Sequence, residues 1–92
     1  MIRGFRCKET EKVFQRRDSK RFSGVQRVAL RKLLVLDAAG SLDDVRVPPA
    51  NRLEKLRGDR HGQHSIRVND QWRVCFRWRD GHAHDVEIVD YH

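Results

Sequence analysis

The chain has 92 residues, which gives room for one modest core and no second domain. Lysine and arginine number 20 against 13 aspartates and glutamates, and a formal net charge of +7 on so short a chain favours a polyanionic partner, nucleic acid first. Neither a membrane span nor a secretory signal is expected, because the longest apolar run is Leu33-Leu34-Val35-Leu36 and Met1-Ile2-Arg3-Gly4-Phe5-Arg6 lacks an apolar stretch.

Ile2 to Cys7 alternates loosely and predicts a first strand. Thr10 offers an N-cap for a brief helix that carries Val13 and Phe14 and ends near Arg16-Arg17-Asp18-Ser19. A second helix is expected from Ser23, where Ser23-Gly24-Val25-Gln26 has the S-x-x-Q form of a capping box. Val25, Val28, Ala29, Leu33 and Leu36 follow at helical spacing as a buried stripe, with Arg27, Arg31 and Lys32 on the other side. The helix should stop around Ala38-Ala39-Gly40, with Gly40 as a left-handed cap, and Pro48-Pro49 then forces an extended loop.

Beyond the prolines the period changes to two. Arg52 to Leu56 is a short strand-like stretch, followed by the turn Gly58-Asp59-Arg60-His61-Gly62. His64, Ile66 and Val68 alternate with Ser65, Arg67 and Asn69. After a tight turn at Asn69-Asp70, Trp72, Val74, Phe76 and Trp78 face one way and Arg73, Cys75, Arg77 and Arg79 the other. Asp80-Gly81 signals a hairpin into a last strand with Val86 and Ile88 on its buried side. The pattern predicts an α+β fold over residues 1–92, one domain without repeats or linkers, with helices packed on one face of an antiparallel sheet. Cys7 and Cys75 fit neither a disulfide framework nor a CxxC motif, so each reads as a small apolar residue of a reduced, cytoplasmic protein.

Two features carry chemistry. Arg67, Arg73, Arg77 and Arg79 share the face opposite the apolar row. Singly each is a solvated strand residue, but together, with the net charge, they form a phosphate-binding face. The parity of Trp72 and Trp78 with Val74 and Phe76 makes them core rather than base-stacking platforms. The second feature is Asp90-Tyr91-His92, a carboxylate, a phenol and an imidazole carried at the end of a strand. These three are either a catalytic group or a surface tail in which Tyr91 covers a core edge. His82 and His84 form an H-x-H, with His61 and His64 nearby in sequence, but a zinc site needs further ligands that are not indicated. No glycine-rich nucleotide loop or serine-hydrolase triad is present.

The stretches 52–60, 62–78 and 86–92, above all Ser65-Ile66-Arg67-Val68-Asn69-Asp70-Gln71-Trp72-Arg73 and the terminal Asp90-Tyr91-His92, resemble the HigB-type toxins of the RelE/ParE superfamily. The resemblance implies a RelE-like β-α-α-β-β-β fold with the antiparallel sheet packed on two N-terminal helices. It implies a bacterial, cytoplasmic type II toxin that cleaves messenger RNA in the A site of the 30S ribosomal subunit, without metal or cofactor. The implied partner is a HigA-like helix-turn-helix antitoxin, with operator DNA reached only through it, and no membrane. Family functional positions match Arg57, Arg73, Asp90, Tyr91 and His92.

Cleavage through the 2′-hydroxyl needs a base, an acid for the 5′-oxygen, and cations for the phosphate charge. Arg73 and Arg57 supply cations, Asp90 and His92 can transfer protons, and Tyr91 can orient or stack. Some family members have histidine where Glu54 stands and lysine where Arg57 stands. Glu54 is therefore either a replacement base or a solvated strand residue, and Arg57 a charge stabiliser rather than a proton donor. Arg67, Arg77, Arg60 and Lys55 are assigned to holding RNA. Two alternatives remain open: a ParE-like toxin that inhibits DNA gyrase by binding it, and a non-catalytic ribosome- or RNA-binding module.

Overall fold

The computed structural model describes residues 1–90, and the following concerns that span. Two helices, α1 (Lys8–Phe14) and α2 (Gln26–Ala38), precede strands β1 (Glu54–Lys55), β2 (His64–Arg67), β3 (Trp72–Arg79) and β4 (His82–Asp90). Among the described residues the strands form one antiparallel sheet in the order β1-β2-β3-β4. Short 3₁₀ turns at Leu42–Arg46, Pro49–Asn51 and Gly58–Arg60 connect α2 to β2 around the two-residue β1. No described helix is long and apolar enough to cross a membrane.

The helices cover the sheet face to which the apolar row of β3 points. Val74 and Phe76 are fully buried there with Ile66, Val86 and Ile88, against Val13, Ala29, Leu33 and Leu36 of the helices. Each such aliphatic or aromatic side chain contributes about 1.5–3 kcal/mol on leaving water. Trp72 and Trp78 pack at the margin of this core, as their parity requires. Phe22, from the α1–α2 loop, meets Trp72 edge to face at 5.3 Å.

The expected first strand is instead a pair of isolated parallel bridges, Ile2 to Ala83 and Phe5 to Val86. The cause lies in β4. Cys75 pairs with Glu87 and Arg77 with His84, so Phe76 alone spans the interval that Asp85 and Val86 fill. This bulge places Asp85 at φ 52° and brings Ala83 and Val86, three residues apart, both into the core. A continuous ladder with period two cannot follow such an edge, and only one bridge forms on either side of the bulge.

Both expected helix caps differ as well. α1 starts at Lys8, and Thr10 lies inside it, buried, where its Oγ1 accepts the backbone N–H of Ile88 at 2.9 Å. α2 starts at Gln26 without a side-chain cap, because the Gln26 amide is engaged by the preceding loop, accepting from the Ser19 N–H and donating to the Arg17 carbonyl. A capping box does form, but at Ser41 and Asp44 of the first 3₁₀ turn. Asp44 Oδ2 also accepts the Gly40 N–H at 3.0 Å, and Ala39 continues in an extended conformation, so Gly40 is not a left-handed cap. Of the predicted stripe, Ala29, Leu33 and Leu36 are buried while Val28 is exposed. Lys32 leaves the solvent side and donates to Asn51 Oδ1 at 2.6 Å. The turns Asn69-Asp70 and Asp80-Gly81 form as predicted, the latter with φ 54° and 78°.

Thr10→Val should leave the buried Ile88 N–H without an acceptor and cost about 1–3 kcal/mol in urea denaturation. Thr10→Ser, which keeps the oxygen, should recover most of that loss. A second expectation concerns pH. Burial first, then the charges of Lys55 and Arg46, hold the His64 imidazole below its ordinary 6.5, and His82 shifts the same way, by desolvation and then Arg3. The folded state thus disfavours protonation that the unfolded chain accepts, so stability is lost as pH falls through 6.5. Thermal midpoints should drop between pH 7.5 and 5.5, and His64→Phe should shrink the drop.

Candidate functional site

Alternation in β3 sends Arg73, Cys75 and Arg77 to the sheet face opposite the helices, but that face is not open. Arg73 is only 6% exposed, and Ser65 and Cys75 are fully buried. The cover is the segment between α2 and β2. At its start the turn Pro49–Asn51 ends on Arg52 in the left-handed conformation, φ 46°. This aims the Arg52 carbonyl at the sheet, where it accepts from Arg73 Nη2 at 2.6 Å. Arg73 Nε donates to Ser65 Oγ at 2.8 Å, and Nη1 lies 3.8 Å from Glu54 Oε1 on β1. The guanidinium is thereby fixed in position and orientation against β2 and β1, on one side of β3. Contrary to expectation, Arg73 is a packed element of the fold as well as a site candidate.

At its far end the cover is tied by Arg60. Its Nη1 donates to Glu87 Oε1 of β4 at 2.8 Å and to Gln63 Oε1 at 3.1 Å, and the bond to Glu87 raises its pKa. Beneath it, burial pushes the Cys75 thiol up and keeps it protonated. Arg60, assigned to holding RNA, commits its Nη1 to Glu87 and Gln63 inside the protein, while its side chain stays 37% exposed. The strut holds in place the short turn Gly58–Arg60 with Arg57 before it and His61 after it. Lys55, Leu56, Arg57 and His61 line an open cleft of ≈ 430 Å³ beside this turn. Lys55, Arg57 and His61 are exposed, with Leu56 as the buried floor.

The remaining candidates divide by position. Glu54 is exposed and lies between Arg73 and the cleft. Arg67 pairs with Arg73 across β2–β3 but carries an ion pair with Asp70. Arg77 stands on the rim, 3.6 Å from Asp85 Oδ2 and 3.5 Å from the His61 carbonyl. Asp90 pairs with Trp72 while Arg73 pairs with Val89, so Asp90 is out of phase with Arg73. Its exposed carboxylate accepts from Gln71 Nε2 at 3.1 Å. Tyr91 and His92 lie outside the described residues. Site residues missed from sequence are His61 and Ser65. His61 stood only among histidines weighed for zinc, although its place between Gly58 and Gly62 marks a turn able to present a ring. Ser65 stood only as the first residue of the 65–73 stretch that carries the family resemblance, with no role assigned to it.

Two cations on struts, exposed cations around a cleft and the Glu54 carboxylate at its edge are thus brought together on a small α+β domain. The chain belongs to the HigB-like toxin family, described as the RelE-like toxin of the type II toxin-antitoxin system HigB, whose model matches residues 3–92. It is 49% identical over 61 residues to Toxin HigB-1 of Vibrio cholerae, covering 66% of this chain and 64% of that protein. It is 42% identical over 41 residues to Endoribonuclease HigB of Proteus vulgaris, covering 45% of each. The chain thus spans less than two thirds of the length of these relatives. Solved structures titled as the YoeB-YefM complex of Staphylococcus aureus contain a chain with the same fold, at TM-score 0.58 with 18% and 21% identity, covering 100% of this chain and 98% of that one.

Arg73→Ala should cost stability as well as function, about 2–3 kcal/mol in urea denaturation, because the Ser65 hydroxyl and the Arg52 carbonyl lose a charged donor. Arg73→Lys should recover only part, since an ammonium lacks the planar fork. A stability of Arg73→Ala equal to the parent's would show that the guanidinium does not hold the cover in place.

Proposed function

We propose that this chain is a toxin that cleaves messenger RNA on the translating ribosome, in the 30S A site, by metal-independent acid/base chemistry through the 2′-hydroxyl. The observation that carries the reading is the cleft lined by the exposed Lys55, Arg57 and His61, on the same cover that the Arg73 guanidinium holds through the Arg52 carbonyl. Membership of the HigB-like family and the name Endoribonuclease HigB borne by a relative support it.

In this reaction the 2′-oxygen attacks the adjacent phosphorus and the bond to the 5′-oxygen breaks. A 2′,3′-cyclic phosphate and a 5′-hydroxyl result. Arg73 and Arg57 stabilise the charge that develops on the phosphate, which is where such donors lower a barrier. Of Asp90, His92 and Glu54, one takes the 2′-hydroxyl proton and another gives a proton to the departing 5′-oxygen, while Tyr91 orients the nucleotide. Lys55, Arg67 and Arg77 hold the RNA backbone around them. The cytoplasm is the place of action, and the partner is a HigA-like helix-turn-helix antitoxin that contacts operator DNA on the complex's behalf.

Few acid/base groups are available, so orientation by the ribosome should supply much of the rate, a contribution that can reach roughly 7 kcal/mol. Codon-resolved mapping in a translating extract should show cleavage within ribosome-bound messages, with naked RNA cut poorly at matched salt. Arg57→Ala combined with Lys55→Ala, both exposed, should keep the parent's thermal midpoint and lower cleavage about a hundredfold. Growth arrest without cleavage, accompanied by loss of gyrase supercoiling activity, would assign the chain to the gyrase-binding class instead.

A further inference from the structure

Most of the chain's cations are arginines, and the lysines are Lys8, Lys12, Lys20, Lys32 and Lys55. Four of these stand in water or beside a carboxylate. Lys8, Lys20 and Lys55 are exposed, and Lys12 pairs with Glu9 at 2.9 Å. Lys32 differs from all four. It is half-buried, and its Nζ donates to Asn51 Oδ1 at 2.6 Å. That acceptor is uncharged and fully buried, and Asn51 Nδ2 is tied in turn to the carbonyls of Val45 and Val47. Among the described residues no carboxylate forms an ion pair with Lys32. The charges that act on it, those of Arg31 and Arg67, are both positive.

An ammonium nitrogen has no free electron pair and cannot attack an electrophile. Two kinds of surroundings favour the neutral amine, which can: loss of water around the charge, and cations nearby. Lys32 has both. Burial first, then Arg31 and Arg67, hold its pKa below the ordinary 10.5. The Asn51 bond adds a geometric element. An amide oxygen accepts an N–H from amine or ammonium, so it holds Nζ in place while favouring the charged form far less than a carboxylate would. The flanking arginines suit a reactant that carries phosphate. Arg31 is exposed with no carboxylate partner among the described residues, while Arg67 shares its charge with Asp70.

We propose that Lys32 is an acyl-acceptor site, modified by phosphate-bearing acyl donors, either acyl phosphates or acyl thioesters of a phosphorylated carrier. The neutral Nζ attacks the acyl carbonyl carbon and a C–N bond forms. The bond from that carbon to the phosphate oxygen, or to sulfur, breaks, and phosphate or thiolate leaves with the electron pair. The proton that Nζ sheds passes to the leaving group. The product is an uncharged amide with a single N–H. Asn51 thereby loses its charged donor, and it directly precedes Arg52, whose carbonyl accepts from Arg73. Acylation at Lys32 thus acts on the start of the cover rather than in the cleft. Labelling is read without RNA, so the site stands or falls independently of cleavage.

The test incubates the full, folded chain at about pH 8 with acetyl phosphate, with acetyl-coenzyme A, or with a neutral acetyl ester, and follows occupancy at each lysine by peptide mass mapping. With a phosphate-bearing donor, Lys32 should gain acetyl at least roughly fivefold faster than Lys8, Lys20 or Lys55, and its lead should be smaller with the neutral ester. Acetyl phosphate and acetyl-coenzyme A, compared, identify the carrier. The lead should vanish in urea, since burial and the two arginines act only in the fold. Arg31→Gln, at an exposed position, should cut the lead with acetyl phosphate by roughly twofold or more. Labelling of Lys32 no faster than that of the exposed lysines, with both phosphate-bearing donors, would overturn the proposal and leave Lys32 as a structural tie to Asn51. An undiminished lead in the unfolded chain would overturn it too, by tracing the reactivity to local sequence. A lead as large with the neutral ester would overturn the assigned donor class.

Discussion

The guanidinium of Arg73 joins three pieces of chain that lie far apart in sequence: β3 itself, Ser65 on β2, and the Arg52 carbonyl at the end of the cover. Without a buried donor at this point, the second face of the sheet would have to find water for the Ser65 hydroxyl and a turned-in carbonyl. A charged donor is well suited to the role, because hydrogen bonds to ionised groups are stronger than neutral ones and a planar fork fixes angle as well as distance. The consequence reaches beyond packing. Glu54, Lys55 and Arg57 follow Arg52 directly, so the residue that holds the cover down also sets where the cleft opens.

A second constraint acts from the other end of the same cover. Arg60 and Glu87 are 27 residues apart, yet they form the contact that brings the turn Gly58–Arg60 onto β4. The pair is partly shielded, with Glu87 the more enclosed partner. Breaking it would leave a carboxylate above the Cys75 thiol, a group already held protonated by burial. Arg73 and Arg60 therefore pin the cover at its two ends. The exposed cations between them need no internal partner and are left for a ligand.

What was legible in the sequence follows from what alternation encodes. Period two in Trp72, Val74, Phe76 and Trp78 identifies a shared face, and its apolar content identifies the helical side. Asp80-Gly81 and the Ala29, Leu33, Leu36 stripe are equally local signals. The α+β class followed from such features and agrees with the helices and sheet observed, while the HigB-like resemblance rested on the stretches 52–60, 62–78 and 86–92 and agrees with the family match. Alternation does not say what covers the other face, so Arg73 read singly as a solvated strand residue although it is buried. The cover owes its path to Arg52 at a positive φ, a conformation with no mark in an arginine. The caps were missed for a related reason. Gln26 and Thr10 can satisfy either a local helix end or a distant backbone group, and here the distant partners, the Ser19–Arg17 loop and Ile88, won.

The same distinction sorts the basic residues. Arginines whose guanidinium finds a carbonyl or carboxylate within the fold have their geometry settled before any ligand arrives, as Arg73 and Arg60 do. Among the described residues Arg27 and Arg31 show no such partner, and their long side chains stay able to adapt to a geometry the protein does not dictate. A net charge of +7 describes neither group, since it counts the two alike. Fixed cations suit one phosphate held at one place, where orientation lowers a barrier. Adaptable cations suit many phosphates along a backbone, where the gain is counterion release and is insensitive to sequence. The fixed set holds the cover near β1, and the adaptable set lies beside Phe22. Only the first demands that the sheet's second face be dry and rigid, which is the condition the Arg73 and Arg60 struts create.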